Sequence, residues 1–515
     1  MAAGIAGAAV ALNSSSAPAP TDDGPSTPEA GEWGPLVSMG QVAPIHATLL
    51  ASGRILMSGQ GGDGRSYPSF VIDPMDEGPF LVDPLHVPVR RPGDSLFCAG
   101  HAYLADGRVL HVGGGHFFDT GLDYGILFDE GTSPWTPIDD DLLGGRAWYS
   151  TVTRTADGRM LVLSGFVDFG LNENRTIQLF DPASFDAGGP PWTMLVPHRR
   201  APEISATGSD YTHTFVLPQP IELEGHLRDV VMIGKTGEVH FFNYADPLDP
   251  GARFASRPNA FRGGTDVFFS ADGASSVLLA DGRILIAGAG DEDGTGAIPQ
   301  AHLYDPLEDT WRTIDTGIAR AHPAAVLLPD TTVALVNGSG GFDDPKRAQI
   351  VDPATETVTT SPPWDDPYVR GYHNVALLLP DARVLVAGGQ GEGDDTERPD
   401  LRIFTPPYLI GVAPDERPRI VGVPDSIGYG LPFILAVEGG PIHRVTLVAP
   451  GSMTHAWDGN QRIVQLFDGD SSDAQLSVPG PRDAHAAPPG DYLLFAMRND
   501  GVRFIPSFGR LVRVR

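Results

Sequence analysis

Cysteine is almost absent from this sequence. Cys98 is the only one in 515 residues, so no intramolecular disulfide can form. Taken alone, such a residue is most often a small apolar filler of a protein core. The chain also lacks an uninterrupted run of about 18 apolar residues, the length needed for a transmembrane helix. We therefore expect no membrane span.

Basic residues are scarce as well. Lys and Arg number 35 against 65 Asp and Glu, which gives a formal net charge of −30. A surface of that sign repels nucleic acid and anionic membranes, so we expect no nucleic-acid partner. Charged residues are only 19% of the chain, whereas Gly (63) and Pro (48) are abundant. This composition favours many short strands joined by turns.

The first residues do not resemble the rest of the chain. "MAAGIAGAAVAL" is a short apolar run without the basic residues that open a signal peptide. "SSSAPAPTDDGPSTPEAGE" follows it and has the composition of a linker. We predict that residues 1–32 are a disordered leader or a trimmed export signal.

A hairpin motif recurs through the middle of the chain. Each copy is typical of a strand, a tight turn at Asp-Gly or its equivalent, and an apolar strand ending in glycines. The copies are residues 49–62, 104–115, 155–165, 279–290, 328–341 and 379–391. The position held by arginine falls at Arg54, Arg108, Arg159, Arg283, Thr332 and Arg383, at intervals of mostly 49 to 54 residues. One interval of 124 residues is long enough for a further unit, which "RDVVMIGKTGEVHFFNYADP" (228–247) supplies.

A second marker has the same period. Units end in an apolar run with Asp-Pro or a similar pair, seven times in all: residues 71–74, 127–130, 179–182, 244–247, 303–306, 350–353 and 403–406. Seven units of about 50 residues predict a seven-bladed, kelch-like β-propeller over residues 33–412. "WGPLVSMG" (33–40) is expected to close the last blade. Residues 413–515 lack the repeat and predict an immunoglobulin-like β-sandwich, so the fold class is all-β.

The period also aligns residues that could carry chemistry. Ten residues before each arginine position stand Pro44, Cys98, Tyr149, Gly273, His322 and His373. This place, just before the strand that feeds each hairpin, lies at one end of a propeller's channel. We therefore expect the thiol, the phenol and the two imidazoles to face a common mouth, where they would suit a transition metal such as copper or iron.

Each of these residues also has a structural interpretation. Tyr149 could be ordinary channel packing, and His322 a surface or hydrogen-bonded histidine. Tyr372 precedes His373, and adjacent residues on a regular strand point to opposite faces. Both could therefore bind one metal only if the backbone bends there. The shared register of four residues is what favours a site.

Five separated motifs resemble one known family. They are "FCAGHAYLADGRVLHVGGG", "RAWYSTVTRTADGRMLVLSG", "YHNVALLLPDARVLVAGG", "LRIFTPPYL" and "GSMTHAWDGNQRIVQL". Over residues 36–515 the chain resembles the copper radical oxidases, the galactose oxidase and glyoxal oxidase family. The resemblance implies oxidation of small aldehydes, as hydrates, or of primary alcohols by O2, with H2O2 as a product. There is no room for galactose oxidase's carbohydrate-binding domain, which favours a glyoxal-oxidase-like enzyme.

The resemblance also implies roles for particular residues. Cys98 and Tyr149 match the pair that the family joins by a thioether into a Tyr–Cys radical cofactor. Tyr149, Tyr372, His373 and His455 match the ligands of one copper ion, with Tyr372 as the general base. His455 would reach the channel on a loop of the C-terminal domain.

The chain departs from galactose oxidase at one place. A tryptophan that stacks over the linked tyrosine there is replaced by "LSGFVDFG" (163–170). We therefore expect Trp148, Phe166 and His322 to surround the site. The resemblance favours a secreted or extracytoplasmic monomer.

Two alternatives remain at this point. The first is a non-catalytic kelch-type propeller that binds a glycan or a protein, with a free thiol at Cys98. The second is a mononuclear copper or iron site without the radical.

Overall fold

The protein folds almost entirely as β-structure. The computed structural model describes residues 30–62, 67–76, 78, 80, 85–117, 120–131, 134–163, 165–168, 172–197, 211–234, 238–245, 254–257, 273–340, 345–365, 368–391 and 394–515. Of the predicted leader, residues 1–29 lie outside this set. Apart from Ala30 at the start of the described residues, helical structure here is limited to Pro182–Asp186 and to two 3₁₀ turns, Pro407–Leu409 and Pro414–Glu416. No helix among these residues is long and apolar enough to cross a membrane.

The repeats form a succession of antiparallel sheets. Five have four strands each: Gly100–Tyr103, Val109–Val112, Gly125–Phe128 and Trp135–Pro137; Thr151–Arg154, Met160–Leu163, Ile177–Phe180 and Trp192–Val196; His213–Leu223, His226–Ile233, Val239–Phe242 and Ala255–Arg257; Ser275–Leu278, Ile284–Ala287, Ile298–Asp305 and Thr310–Arg320; Ala324–Leu327, Val333–Val336, Arg347–Asp352 and Thr357–Pro363. The unit expected at residues 228–247 is thus confirmed as two paired strands. Short pairings add Asp94–Ser95, Gly115–His116 and Thr120–Gly121, and join Gln390–Gly391 to Asp394–Glu397.

The Asp-Gly-Arg turns explain why the hairpins form where the motif predicts. Gly107 has a φ of +98°, a left-handed conformation that favours glycine. The Asp106 carboxylate accepts the backbone N–H of Arg108 at 3.0 Å and its Nε–H at 2.8 Å. Asp157 binds Arg159 in the same two ways, at 3.2 and 2.9 Å. In each turn, one Asp carboxylate therefore accepts hydrogen bonds from the arginine that leads into the following strand.

Two sheets join distant parts of the chain. In one, Asn374–Leu378, Val384–Gly388 and Asp400–Thr405 take up Glu32–Trp33 and Val37–Ser38 from the start of the described chain. This closure was predicted from residues 33–40. In the other, Val42–Leu49, Ile55–Gly61 and Ser69–Ile72 pair with Ser452–Thr454 and Trp457–Asp458 from the C-terminal region. The second arrangement carries a C-terminal loop in among the repeats.

The C-terminal region forms two further sheets around its own core. One contains Arg419–Gly422, Phe433–Glu438 and Gln475–Val478; the other contains Ser426–Ile427, Ile442–Val448, Ile463–Ser471, Gly490–Asn499, Phe504–Pro506 and Arg510–Val514. Fully buried Leu435, Leu447 and Leu494 lie between them. The all-β class is confirmed, with many four-stranded sheets that fit a propeller followed by a sandwich. The seven blades and the limits 33–412 and 413–515 stay predictions.

One buried acid in these sheets predicts a pH-dependent stability. Burial raises the pKa of Asp229, on strand His226–Ile233, to about 7, although the Tyr244 N–H binds its carboxylate at 3.2 Å. Between pH 3.8, its usual pKa, and about 7 the folded state binds more protons than the unfolded state. Stability from this group is therefore lost as pH rises through that window.

We expect the Asp229→Asn variant to lose this dependence. At about 1.4 kcal/mol per pKa unit, the free energy of unfolding of the native protein should fall by a few kcal/mol more than the variant's between pH 4 and pH 8. Urea unfolding at a series of pH values measures the difference. Parallel curves for the two proteins would show that Asp229 does not titrate in this range.

Candidate metal centre

Five of the six residues aligned by the repeat share one backbone conformation, whereas the sixth, Pro44, lies within strand Val42–Leu49. Left-handed φ angles between +51° and +67° occur at Cys98, Tyr149, Gly273, His322 and His373. Four of these five residues carry side chains, for which this conformation costs roughly 1–2 kcal/mol. The Tyr149 N–H donates to the Cys98 carbonyl at 2.9 Å, and the His322 N–H to the Gly273 carbonyl at 2.6 Å. The register is therefore a real structural position, at which the chain turns into the first strand of a sheet.

Tyr211 occupies the same position and was missed by the sequence analysis. Its φ is +40°, and its N–H donates to the Tyr149 carbonyl at 2.8 Å. Its ring lies 5.4 Å from that of Tyr149 and 4.9 Å from that of His455. The hairpin of this sheet has no arginine marker, so the alignment had nothing to count from. The start of strand His213–Leu223 two residues later is the signal that could have found it.

The structure brings the five predicted cofactor and ligand residues together. The phenolic oxygens of Tyr149 and Tyr372 share a hydrogen bond at 2.8 Å. The Cys98 Sγ lies 3.2 Å from the His455 Nε2. Ligand atoms of Cys98, His373 and His455 all fall within 4.8 Å of one another. Cys98, His373 and His455 are buried, whereas Tyr149 and Tyr372 are half-buried.

A bend of the backbone at His373 allows the side chains of two adjacent residues to point into one cluster. With a φ of +67°, His373 does not continue a regular strand. Its ring stacks on that of Tyr372, with centroids 4.1 Å apart and planes at 29°. Both side chains therefore reach the same cluster.

His455 arrives on the C-terminal hairpin. Strand Ser452–Thr454 pairs with Val42–Leu49, and His455 follows it with a φ of +50°. Trp457 anchors the far side of the hairpin by stacking on His213, with centroids 5.1 Å apart. The Ser275 hydroxyl binds the Ala456 carbonyl at 2.5 Å. The hairpin is thus fixed on both sides of the histidine.

Burial favours the uncharged forms of four groups in the cluster when no cation is present. It raises the pKa values of Cys98, Tyr149 and Tyr372 well above their usual range and lowers that of His455 well below. For Cys98 the charge of Glu397 adds to the effect of burial. A bound cation would reverse these directions, because it favours deprotonated phenols and thiols.

The donor set fits a copper ion. The Nδ1 of His455 hydrogen-bonds Thr454 at 2.6 Å, and the Nδ1 of His373 hydrogen-bonds Glu397 at 2.5 Å. Each histidine thus presents its Nε2 to the cluster, and that of His373 is buried with no hydrogen-bond partner in the described part of the chain. Imidazole nitrogens and phenolate oxygens are ligands that suit copper.

The three residues expected around the site also lie against it. The rings of Trp148 and Phe166 lie 5.2 and 6.1 Å from that of Tyr149, and the backbones of these two residues bridge each other. The His322 ring lies 5.2 Å from that of Tyr372. Trp148 therefore touches the tyrosine ring from the preceding position in sequence.

Comparison with known proteins gives concordant matches. Residues 417–514 match the family described as "Galactose oxidase-like, Early set domain". Galactose oxidase of Gibberella zeae is 26% identical over 514 residues, covering 95% of this chain and 71% of the relative. Aldehyde oxidase GLOX of Vitis pseudoreticulata is 25% identical, covering 94% and 97%.

A solved structure has the same fold. Its title is "Novel fungal alcohol oxidase with catalytic diversity among the AA5 family, in complex with copper". The TM-score is 0.74 at 22% identity, over 94% of this chain and 99% of that one. Residues 417–514 are thus a galactose oxidase-like domain. Over more than nine tenths of its length the chain is similar to galactose oxidase and to the GLOX aldehyde oxidase, which confirms the resemblance of its motifs.

Proposed function

We propose that the protein is a copper radical oxidase that oxidises small neutral aldehydes, as hydrates, or primary alcohols with O2. The observation that carries the proposal is the largely buried cluster of Cys98, Tyr149, Tyr372, His373 and His455. A binding module has no need for a thiol, two phenols and two imidazoles within contact of one another. The names of the relatives, galactose oxidase and aldehyde oxidase, support the same reaction class.

The ligands in this proposal are Tyr149, Tyr372, His373 and His455. Copper, when bound, supplies a one-electron acceptor and a Lewis acid at this point. Cys98 belongs to this cluster, with its Sγ 3.2 Å from the His455 Nε2, and is therefore more than a filler of the core. We assign it a thioether bond to the Tyr149 ring, whose formation removes the thiol hydrogen and one ring hydrogen and passes two electrons to O2.

Two tyrosine side chains carry out separate steps of substrate oxidation. Tyr372 takes the proton of the substrate hydroxyl, since its oxygen lies beside that of Tyr149. Tyr149, oxidised to the radical, takes the hydrogen atom from the substrate carbon. An alcohol thereby loses two hydrogens to become an aldehyde, a hydrated aldehyde becomes an acid, and O2 becomes H2O2.

Charges near the cluster favour a neutral substrate. Glu292 and Glu397 are both close enough to raise the pKa of Cys98, after the larger effect of burial. Two carboxylates disfavour an anionic substrate such as a carboxylate-bearing aldehyde. Small aldehydes and primary alcohols fit this environment.

We also propose that the protein works outside the cytoplasm. The reaction releases H2O2, and a chain with one buried cysteine exposes no thiol to that product. Recovery of active protein from culture medium, compared with the cell fraction, tests this location.

Peptide mass spectrometry after copper loading in air, with thiol alkylation, tests the proposed cofactor. We expect Cys98 to resist alkylation and its peptide to be joined to that of Tyr149, with the loss of two hydrogen atoms. The protein kept free of copper and oxygen is the control and should alkylate fully. A Cys98 that alkylates after full copper loading would contradict the radical oxidase and favour the binding module.

A further inference from the structure

A short hairpin places a carboxylate directly on one of the proposed copper ligands. Strand Asp394–Glu397 pairs with Gln390–Gly391, and Glu397 stands opposite Gln390. The Glu397 Oε1 lies 2.5 Å from the His373 Nδ1, and these side chains are only 7% and 6% exposed. The contact is therefore made in the interior, where a charge interacts strongly.

The same hairpin is bonded to the backbone beside the ligand. The Gln390 N–H donates to the Tyr372 carbonyl at 2.8 Å, and the Gly371 N–H donates to the Gln390 carbonyl at 2.7 Å. The Gln390 amide also donates to the Glu397 Oε1 at 3.0 Å. The carboxylate and the imidazole are thus held in one rigid unit.

The Glu397 carboxylate has few other partners within the described residues. Its Oε2 is buried and has no hydrogen-bond partner within the described residues, and its Oε1 is bonded there to the His373 Nδ1 and to the Gln390 amide. A buried carboxylate without an arginine or lysine beside it costs stability. The arrangement is explained if a cation on the far side of the imidazole compensates the charge.

The two proposed histidine ligands differ in this respect. His455 shares its Nδ1 hydrogen bond with the neutral hydroxyl of Thr454. His373 shares its own with a carboxylate, which draws the Nδ1 proton towards itself and leaves more electron density at the Nε2. Its imidazole should therefore be the stronger donor to a divalent cation.

We propose that Glu397 is a positioning residue that fixes the tautomer of His373 and strengthens its donation to copper, preferentially in the Cu(II) state. The inference rests on the proposed function, because it takes copper as the metal. A ligand that stabilises Cu(II) more than Cu(I) lowers the reduction potential of the site. It thereby favours the return of electrons to O2 at the end of the cycle.

The Glu397→Gln variant tests this role, because glutamine keeps the size and the acceptor oxygen but removes the charge. We expect copper(II) affinity, measured by competition with a chelator, to fall by about 10–100-fold. We also expect the reduction potential of the bound metal to rise. Glu292→Gln is the matched control, since it removes another carboxylate near Cys98 and Tyr372, and it should change both quantities much less.

The outcomes separate this inference from the proposed function. Unchanged copper affinity and potential in Glu397→Gln, or equal changes in Glu292→Gln, would overturn the role of Glu397 while native copper binding still supports the oxidase. Native protein that binds no copper would overturn the proposed function instead. If Glu397→Gln does not fold, Glu397→Asp, which withdraws the carboxylate by one methylene, should show the same direction of change.

Discussion

Turnover should fall by at least about 10³-fold in the Tyr149→Phe variant, because removal of a residue that takes part directly in the chemical step lowers turnover by several orders of magnitude. Tyr149 has two roles in the proposed reaction: it binds the metal and it takes the hydrogen atom from the substrate. Phenylalanine keeps the ring that packs against Trp148 and Tyr211 at 5.2 and 5.4 Å. The fold should therefore persist while the chemistry is lost.

Peroxide release and oxygen uptake with small aldehydes and primary alcohols measure this loss. Tyr211→Phe is the matched control: the same substitution one sheet away removes a hydroxyl that donates to the Ala99 carbonyl at 3.4 Å. It should keep most of the turnover. A Tyr149→Phe variant with activity within tenfold of the native protein would exclude Tyr149 as the radical residue.

The repeat alone predicted a large part of the side-chain cluster that we propose as the site. Counting back from the arginine positions placed Cys98, Tyr149, His322 and His373 in one register, and the structure shows that they share a left-handed backbone. This works because the same hairpin recurs, so equal sequence offsets correspond to equal positions in space. Tyr211 was not identified because the hairpin of its sheet has no arginine at the marker position. Its backbone nevertheless occupies the same structural position as the other aligned residues.

The period of the repeat does not predict contacts between segments that are far apart in the sequence. His455 lies outside the repeats, and it enters the cluster because Ser452–Thr454 pairs with Val42–Leu49. The resemblance of "GSMTHAW" identified it, whereas its sequence neighbours carry no such signal. Glu397 was missed altogether, since its contact with His373 depends on the register of a two-stranded hairpin that follows the glycine-rich strand.

The backbone bend just before the strands determines which side chains can reach the same metal ion. A regular strand would have sent Tyr372 and His373 to opposite faces, and the sequence could not choose between that and a bend. The left-handed His373 puts both rings in one stack. The left-handed conformation costs conformational free energy at several positions around the cluster. Such strained residues are common where a binding site is preorganised for its ligand.

The Tyr372→Phe variant is the second test with a large expected effect. Tyr372 is half-buried, and desolvation of its phenol raises the pKa well above the usual value. The phenol therefore becomes a base near neutral pH only when a metal cation offsets that effect. Phenylalanine keeps the ring that stacks on His373 but removes the oxygen 2.8 Å from that of Tyr149.

Loss of a general base should lower kcat by about 10²–10⁴-fold. The solvent isotope effect on kcat should also rise, and the isotope effect of a deuterated substrate should shrink, because proton removal then limits turnover. A purely structural role would instead lower the melting temperature and leave both isotope effects unchanged. Steady-state kinetics in H2O and D2O, with Tyr211→Phe as the control, separates the two. Unchanged isotope effects with a native-like melting temperature would mean that the substrate proton goes to another group, and His322, whose ring lies 5.2 Å from that of Tyr372, is the next residue to replace.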